Sequence, residues 1–91
     1  MKDRTLAALM RRFPTLTVWT ARGNQYTGIG KGSDRVVVQC TDGIWTGCRT
    51  LGGIYDVTHS HHPTAIAAAD ALRRQVQRHI RAMQRAIGDA K

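Results

Sequence analysis

Cys40, Cys48, His59, His61 and His62 are residue types that hold zinc, and Asp56 stands close enough to the histidines to pair with one as an acid–base couple. Neither chemistry finds the spacing it needs. Seven residues separate the two cysteines, which is not a zinc-knuckle interval. A hairpin turning at Asp42-Gly43 would pair Cys40 with Trp45 and Cys48 with Val37. The thiols would then sit on opposite faces, on the order of 10 Å apart along the ladder. That excludes a disulfide and a shared metal in this register. His59-Ser60-His61-His62 reads as a polar connector, with metal binding as the other reading. Asp56 and its histidines would suit RNA hydrolysis, but no residue stands out as nucleophile, oxyanion donor or metal cage. We expect no catalytic residues, no metal and no cofactor.

Residues 23–34, GNQYTGIGKGSD, hold four glycines in twelve positions. A Walker loop needs Gly-Lys and then Ser or Thr opening a helix, so that helix N–H groups hold phosphate. Here Gly30-Lys31-Gly32-Ser33 runs into Val36-Val37-Val38, a strand. A dinucleotide fingerprint fails for the same reason. What fits is a long second strand bent sharply where glycines remove side chains. Ser33-Asp34 forms the turn that follows, with the Asp34 carboxylate accepting backbone N–H groups.

Charge narrows the partners. The 91 residues carry 14 Lys and Arg against six acids, all aspartate, a net charge of +8. A domain this basic attracts polyanions, and nucleic acid is the default partner. No signal peptide opens the chain and no apolar run approaches the length of a membrane span. We expect a soluble, cytoplasmic protein without membrane contact.

The elements that must position these residues follow from periodicity. Asp3 caps a short helix with an apolar face of Leu6, Leu9, Met10 and Phe13, stopped by Pro14. Thr15 to Thr20 alternates and is β-branched, giving a first strand. Arg22-Gly23 turns it, Asn24 to Ile29 returns, and a two-residue turn there sets Trp19 opposite Tyr26. Arg35 to Cys40 is the third strand, Ile44 to Arg49 the fourth, and Ile54 to Thr58 the fifth after Gly52-Gly53. From Pro63, as first helical residue, to Ile87 the chain reads as one helix. Its apolar seam is Ile66, Ala69, Leu72, Val76, Ile80, Met83 and Ile87. Arg74, Arg78, Arg81 and Arg85 run along the other side. At 1.5 Å per residue this helix is on the order of 36 Å long, more than a small sheet needs. Part of the seam is expected to meet another chain or domain. The domain reading is 1–60 for the sheet unit and 61–91 for the basic amphipathic helix.

Gly23, Gly28, Asp34 and Val36-Val37-Val38 match the first signature of Sm proteins in spacing. The run from about residue 3 to 58 resembles the Sm-like fold, and most closely the bacterial Hfq family of RNA chaperones. Asp3, Leu6, Ala8, Leu9 and Arg11-Arg12 resemble that family's N-terminal helix. The implied fold is mainly β with flanking helices, a strongly bent five-stranded antiparallel sheet or small open barrel. The C-terminal helix is an addition to the family's layout. The resemblance implies a homo-oligomeric ring, a hexamer in that family, joined by strand-four to strand-five pairing and binding single-stranded RNA without chemistry.

By that resemblance Trp19 and Tyr26 stack bases, while Asn24, Gln25 and Thr27 contact base edges. Aromatic faces and amides suit unstacked bases. The same two rings fit core or interface packing equally well. Arg11, Arg12, Arg35 and Arg49 are expected to hold phosphates, with Gly23, Gly28 and Asp34 structural. Arg74, Arg78, Arg81 and Arg85 would follow a nucleic-acid backbone, or form the wet side of an amphipathic helix. DNA stays open beside RNA. Two other functions compete: a phage or plasmid protein-interaction module that inhibits nucleic-acid machinery, anti-CRISPR-like, and a small mRNA-cleaving toxin.

Overall fold

Alternating β-branched segments joined by short glycine turns can only pair with their sequence neighbours, and the result is a meander. The computed structural model describes residues 4–52, 54–58 and 61–89. Helix α1 (Arg4–Arg12) leads into β1 (Val18–Arg22), β2 (Gln25–Ile29), β3 (Arg35–Thr41), β4 (Ile44–Leu51) and β5 (Ile54–Val57), followed by α2 (Ala65–Asp89). The five strands form one antiparallel sheet in the order β1-β2-β3-β4-β5. The sheet does not close, so β1 and β5 are its edges. The expected cap Asp3, and with it Gly53 and His59, lie outside the described residues.

Asp42-Gly43 turns β3 into β4 with φ of 53° and 78°. Both residues in the left-handed region give the primed turn whose twist matches the strands. Cys40 accordingly pairs with Trp45 and Cys48 with Val37, as the sequence indicates.

The first hairpin differs from expectation. Arg22 pairs with Gln25, so the turn is Gly23-Asn24, with Gly23 at φ 56°. Trp19 therefore lies opposite Gly28 rather than Tyr26. The fit is tight: a Cβ on Gly28 would sit 2.7 Å from the Trp19 ring. Strand β1 starts at Val18, because Pro14 and Thr15 occupy a turn in which the Leu16 N–H donates to the Phe13 carbonyl. Strand β2 is not the long strand expected. It stops at Ile29, and Gly30 to Asp34 closes as a turn, the Gly30 N–H donating to the Asp34 carbonyl at 2.9 Å.

The register sorts side chains into rows that cross the sheet. On one face Trp19, Gly28, Val36, Arg49 and Asp56 stand side by side, followed by Ala21, Tyr26, Val38 and Gly47. Both helices pack on this face. Leu9 and Phe13 of the α1 region join Leu16, Val36, Val38, Ala65, Ala68, Ala69, Leu72 and Val76 in one buried cluster. Residues before and after position 60 thus share a single core. The expected apolar face of α1 holds at Leu9 and Phe13, both buried, and at half-buried Leu6, whereas Met10 is exposed and Ala8 is buried.

Alanine makes the close approach of α2 possible. Ala65, Ala68 and Ala69 let the helix axis settle near β4, where Gly47 offers no side chain. A Cβ there would lie 3.1 Å from Leu72 Cδ2. The helix begins at Ala65 and not at Pro63, since Thr64 caps it: Thr64 Oγ1 accepts the Ala67 N–H at 3.1 Å. Gln75 donates to the Val57 carbonyl at 2.8 Å, and His79 Nδ1 lies 3.1 Å from Asp56 Oδ2, tying β5 to α2. No helix among the described residues is long and apolar enough to cross a membrane.

Candidate nucleic-acid interface

Acidic side chains decide where positive charge is left uncompensated. Asp70 receives Arg12 Nε at 2.7 Å and has Arg73 at 3.8 Å. Asp56 faces His79 and Gln75 on α2. Asp34 lies 2.9 Å from Arg49 and accepts the Thr15 hydroxyl at 3.3 Å. Three carboxylates thus serve contacts within the fold. Arg74, Arg78, Arg81 and Arg85 are all exposed, in line on α2, and no acidic residue occurs between Asp70 and Asp89. Their span is on the order of 16 Å along the helix.

The phosphate-rim arginines expected from sequence divide. Arg11 and Arg35 are exposed. Arg12 is half-buried against Asp70, and its Nη1 donates to the Ala8 carbonyl at 3.1 Å. Arg49 is 6% exposed and lies over the Phe13 ring at 5.2 Å, so it belongs to the core. Burial pushes its guanidinium down from its ordinary value, and the charge of Asp34 opposes that shift. The pair is in charge contact but out of hydrogen-bond alignment: Asp34 Oδ1 and Arg49 Nη1 are buried without a hydrogen-bond partner among the described residues. Asp34 therefore ties the loop to β4 through side chains instead of capping a turn with backbone N–H groups.

The expected base-contacting residues divide by face. Trp19 packs against the core, 6.3 Å from Phe13, with its indole N–H donating to the Leu16 carbonyl at 3.1 Å. Tyr26 stacks on Trp45 at 6.0 Å. Both rings are partly buried on the helix-covered side. Gln25 and Thr27 point the other way, and Asn24 sits in the turn, where its carbonyl accepts the Cys40 N–H at 2.8 Å. Trp19 and Tyr26 do not share a surface with Gln25 and Thr27.

Among the described residues no helix covers that other face. One row across all five strands reads Val18, Ile29, Arg35, Thr50 and Tyr55. The next reads Thr20, Thr27, Val37, Cys48 and Val57, and a third Arg22, Gln25, Gln39 and Thr46. Tyr55 is 63% exposed. Its hydrogen bond with Cys48 pushes the phenol up from its ordinary value, the nearby Cys48 charge adds to this, and Arg35 opposes it. A shallow groove beside this row is lined by Ile29, Ser33, Arg35 and Thr50. Tyr55 and Gln39 did not emerge from sequence reasoning. The signal was present, since alternation across β5 puts Tyr55 and Asp56 on opposite faces.

Cys40 and Cys48 are free thiols on opposite faces. Among the described residues no group of three His, Cys, Asp or Glu side chains gathers to hold a metal. The ring contact that the Sm resemblance implies, strand four against strand five of a neighbour, is made here within one chain. Strand β4 has β3 on one side and β5 on the other. No protein-family model, curated protein or solved structure matches this chain.

Proposed function

We propose that this protein binds single-stranded RNA without carrying out chemistry on it. The observation that carries this reading is the exposed arginine row of Arg74, Arg78, Arg81 and Arg85 on α2, with no carboxylate among them. Guanidinium groups at successive helical turns fit a phosphate backbone and release counterions on contact. The uncovered sheet face favours a single strand over a duplex. It offers the exposed ring of Tyr55, the amides of Gln25 and Gln39, and Arg35 and Arg22 beside them, which suits unpaired bases.

The test is fluorescence anisotropy of a labelled single-stranded oligoribonucleotide, titrated from low to moderate salt. Wild-type affinity should fall steeply with salt. Replacing Arg74, Arg78, Arg81 and Arg85 by Gln should flatten the log–log slope by about 3, from roughly 0.7 per phosphate contact on a single strand. Tyr55→Ala should weaken binding by about 1–3 kcal/mol and leave the slope unchanged. Failure of the wild type to bind at low salt, or an unchanged slope in the four-arginine variant, would overturn the reading. Tighter binding to duplex DNA would replace RNA with DNA as the partner.

A further inference from the structure

Beyond Ile80 the α2 helix leaves the sheet, and residues 81–88 are all exposed. Met83 and Ile87 are 45% and 62% exposed. With half-buried Ile80 they line one face of the helix, three and four residues apart. This is the first-and-fourth pattern of a heptad, with Ile80 and Ile87 at the first place and Met83 at the fourth. The places that flank such a seam are taken by Gln77 and Gln84 on one side and His79 and Ala86 on the other. The four arginines fall at the second and sixth places, farthest from the seam.

We propose that this face meets the same face of a second copy of the chain. The two α2 helices would run antiparallel, with Met83 at the two-fold axis and each chain's Ile80 beside the other's Ile87. The distribution of charge selects this occupant. An acidic partner helix would be recognised by cations beside the seam, and Gln77, His79, Gln84 and Ala86 supply no fixed charge there. Phosphate finds no partner on Met83 and Ile87. A two-fold contact needs a self-complementary patch, and an apolar seam with uncharged flanks is one. Self-repulsion at +8 per chain is small in this pose. The arginine rows end on the outer sides of the helix pair, on the order of 20 Å apart with the axes about 8–10 Å apart. That exceeds a Debye length of about 8 Å at physiological salt. The pair would display two backbone-binding rows facing away from each other.

The experiment is sedimentation velocity of the nuclease-treated full chain in 0.3 M salt, over a concentration series. The small contact implies a weak dimer, populated only toward the upper end of the concentration series. The double variant Met83→Glu, Ile87→Glu should be monomeric throughout, with unchanged circular dichroism and melting temperature, because both side chains lie outside the core. A second measurement fixes the geometry: Met83→Cys in a Cys40→Ser, Cys48→Ser background should oxidise to a covalent dimer. A chain that stays monomeric to several hundred micromolar overturns the proposal. So does a dimer that persists in the double variant or that Met83→Cys does not cross-link. None of these readings depends on whether the protein binds RNA.

Discussion

At the scale of single residues, much of the chemistry was legible from spacing, but the ionic core was not. The turn pair Asp42-Gly43 alone places the two cysteines on opposite faces, and the register agrees. Nothing local in the sequence joins Asp34 to Arg49, because their contact depends on how the Gly30 to Asp34 loop folds against β4. The side chains of this pair are 14% and 8% exposed, so losing one partner leaves a buried charge alone. Asp34→Asn should lower stability by about 3 kcal/mol, as removal of one member of a buried pair does. Urea unfolding followed by tryptophan fluorescence would measure it. A loss under 1 kcal/mol would mean that solvent reaches Arg49 and compensates its charge.

Element boundaries were legible where turn chemistry admits one solution. Arg22-Gly23-Asn24 admits two, since a glycine serves either central position of a tight turn, and the observed choice moves the pairing by two residues. An even shift preserves faces, so Trp19 and Tyr26 still point to the same side. What the shift changes is Trp19's neighbour, and Gly28 is the residue small enough to lie under an indole. Grouping Gln25 and Thr27 with Tyr26 as one base-contacting surface ran against the two-residue period of a strand, and β2 divides them accordingly. Pro63 as the start of α2 lies two residues before the first helical residue, Ala65, with Thr64 between them holding the capping hydroxyl. Thr64→Ala should destabilise the protein by about 1 kcal/mol, and Thr64→Ser should restore most of it. Thermal melts of the pair would show the difference. Equal losses in both variants would assign the role to the Thr64 methyl group instead.

For the whole molecule, composition indicated a polyanion partner, and the fold shows why so much charge stays outside. Asp34, Asp56 and Asp70 face partners within the fold, while Arg11, Arg22, Arg35 and the α2 row face solvent. This distribution depends on packing of distant segments, which no window of sequence contains. Crowded cations repel one another and weaken the compact state. Raising salt from 20 to 200 mM should therefore raise the melting temperature by about 3 °C, equivalent to roughly 0.5 kcal/mol for a domain of this size. Differential scanning fluorimetry in a non-binding anion would record it. A flat or falling profile would indicate that the exposed arginines are too well separated to repel.

Gly47 has a mechanical consequence. The α2 helix is fastened over β4 at its first three turns and free beyond Ile80, so it behaves as a cantilever whose pivot is the glycine. From Leu72, above the glycine, to Ile87 is on the order of 22 Å of rod, whose last two turns have no support. Raising the rod near Leu72 by a methyl's width tilts it by a few degrees and swings its far end by more than the width that caused it. The absence of a side chain at Gly47 therefore sets where the arginines of the tip point, and so the angle at which the molecule presents them.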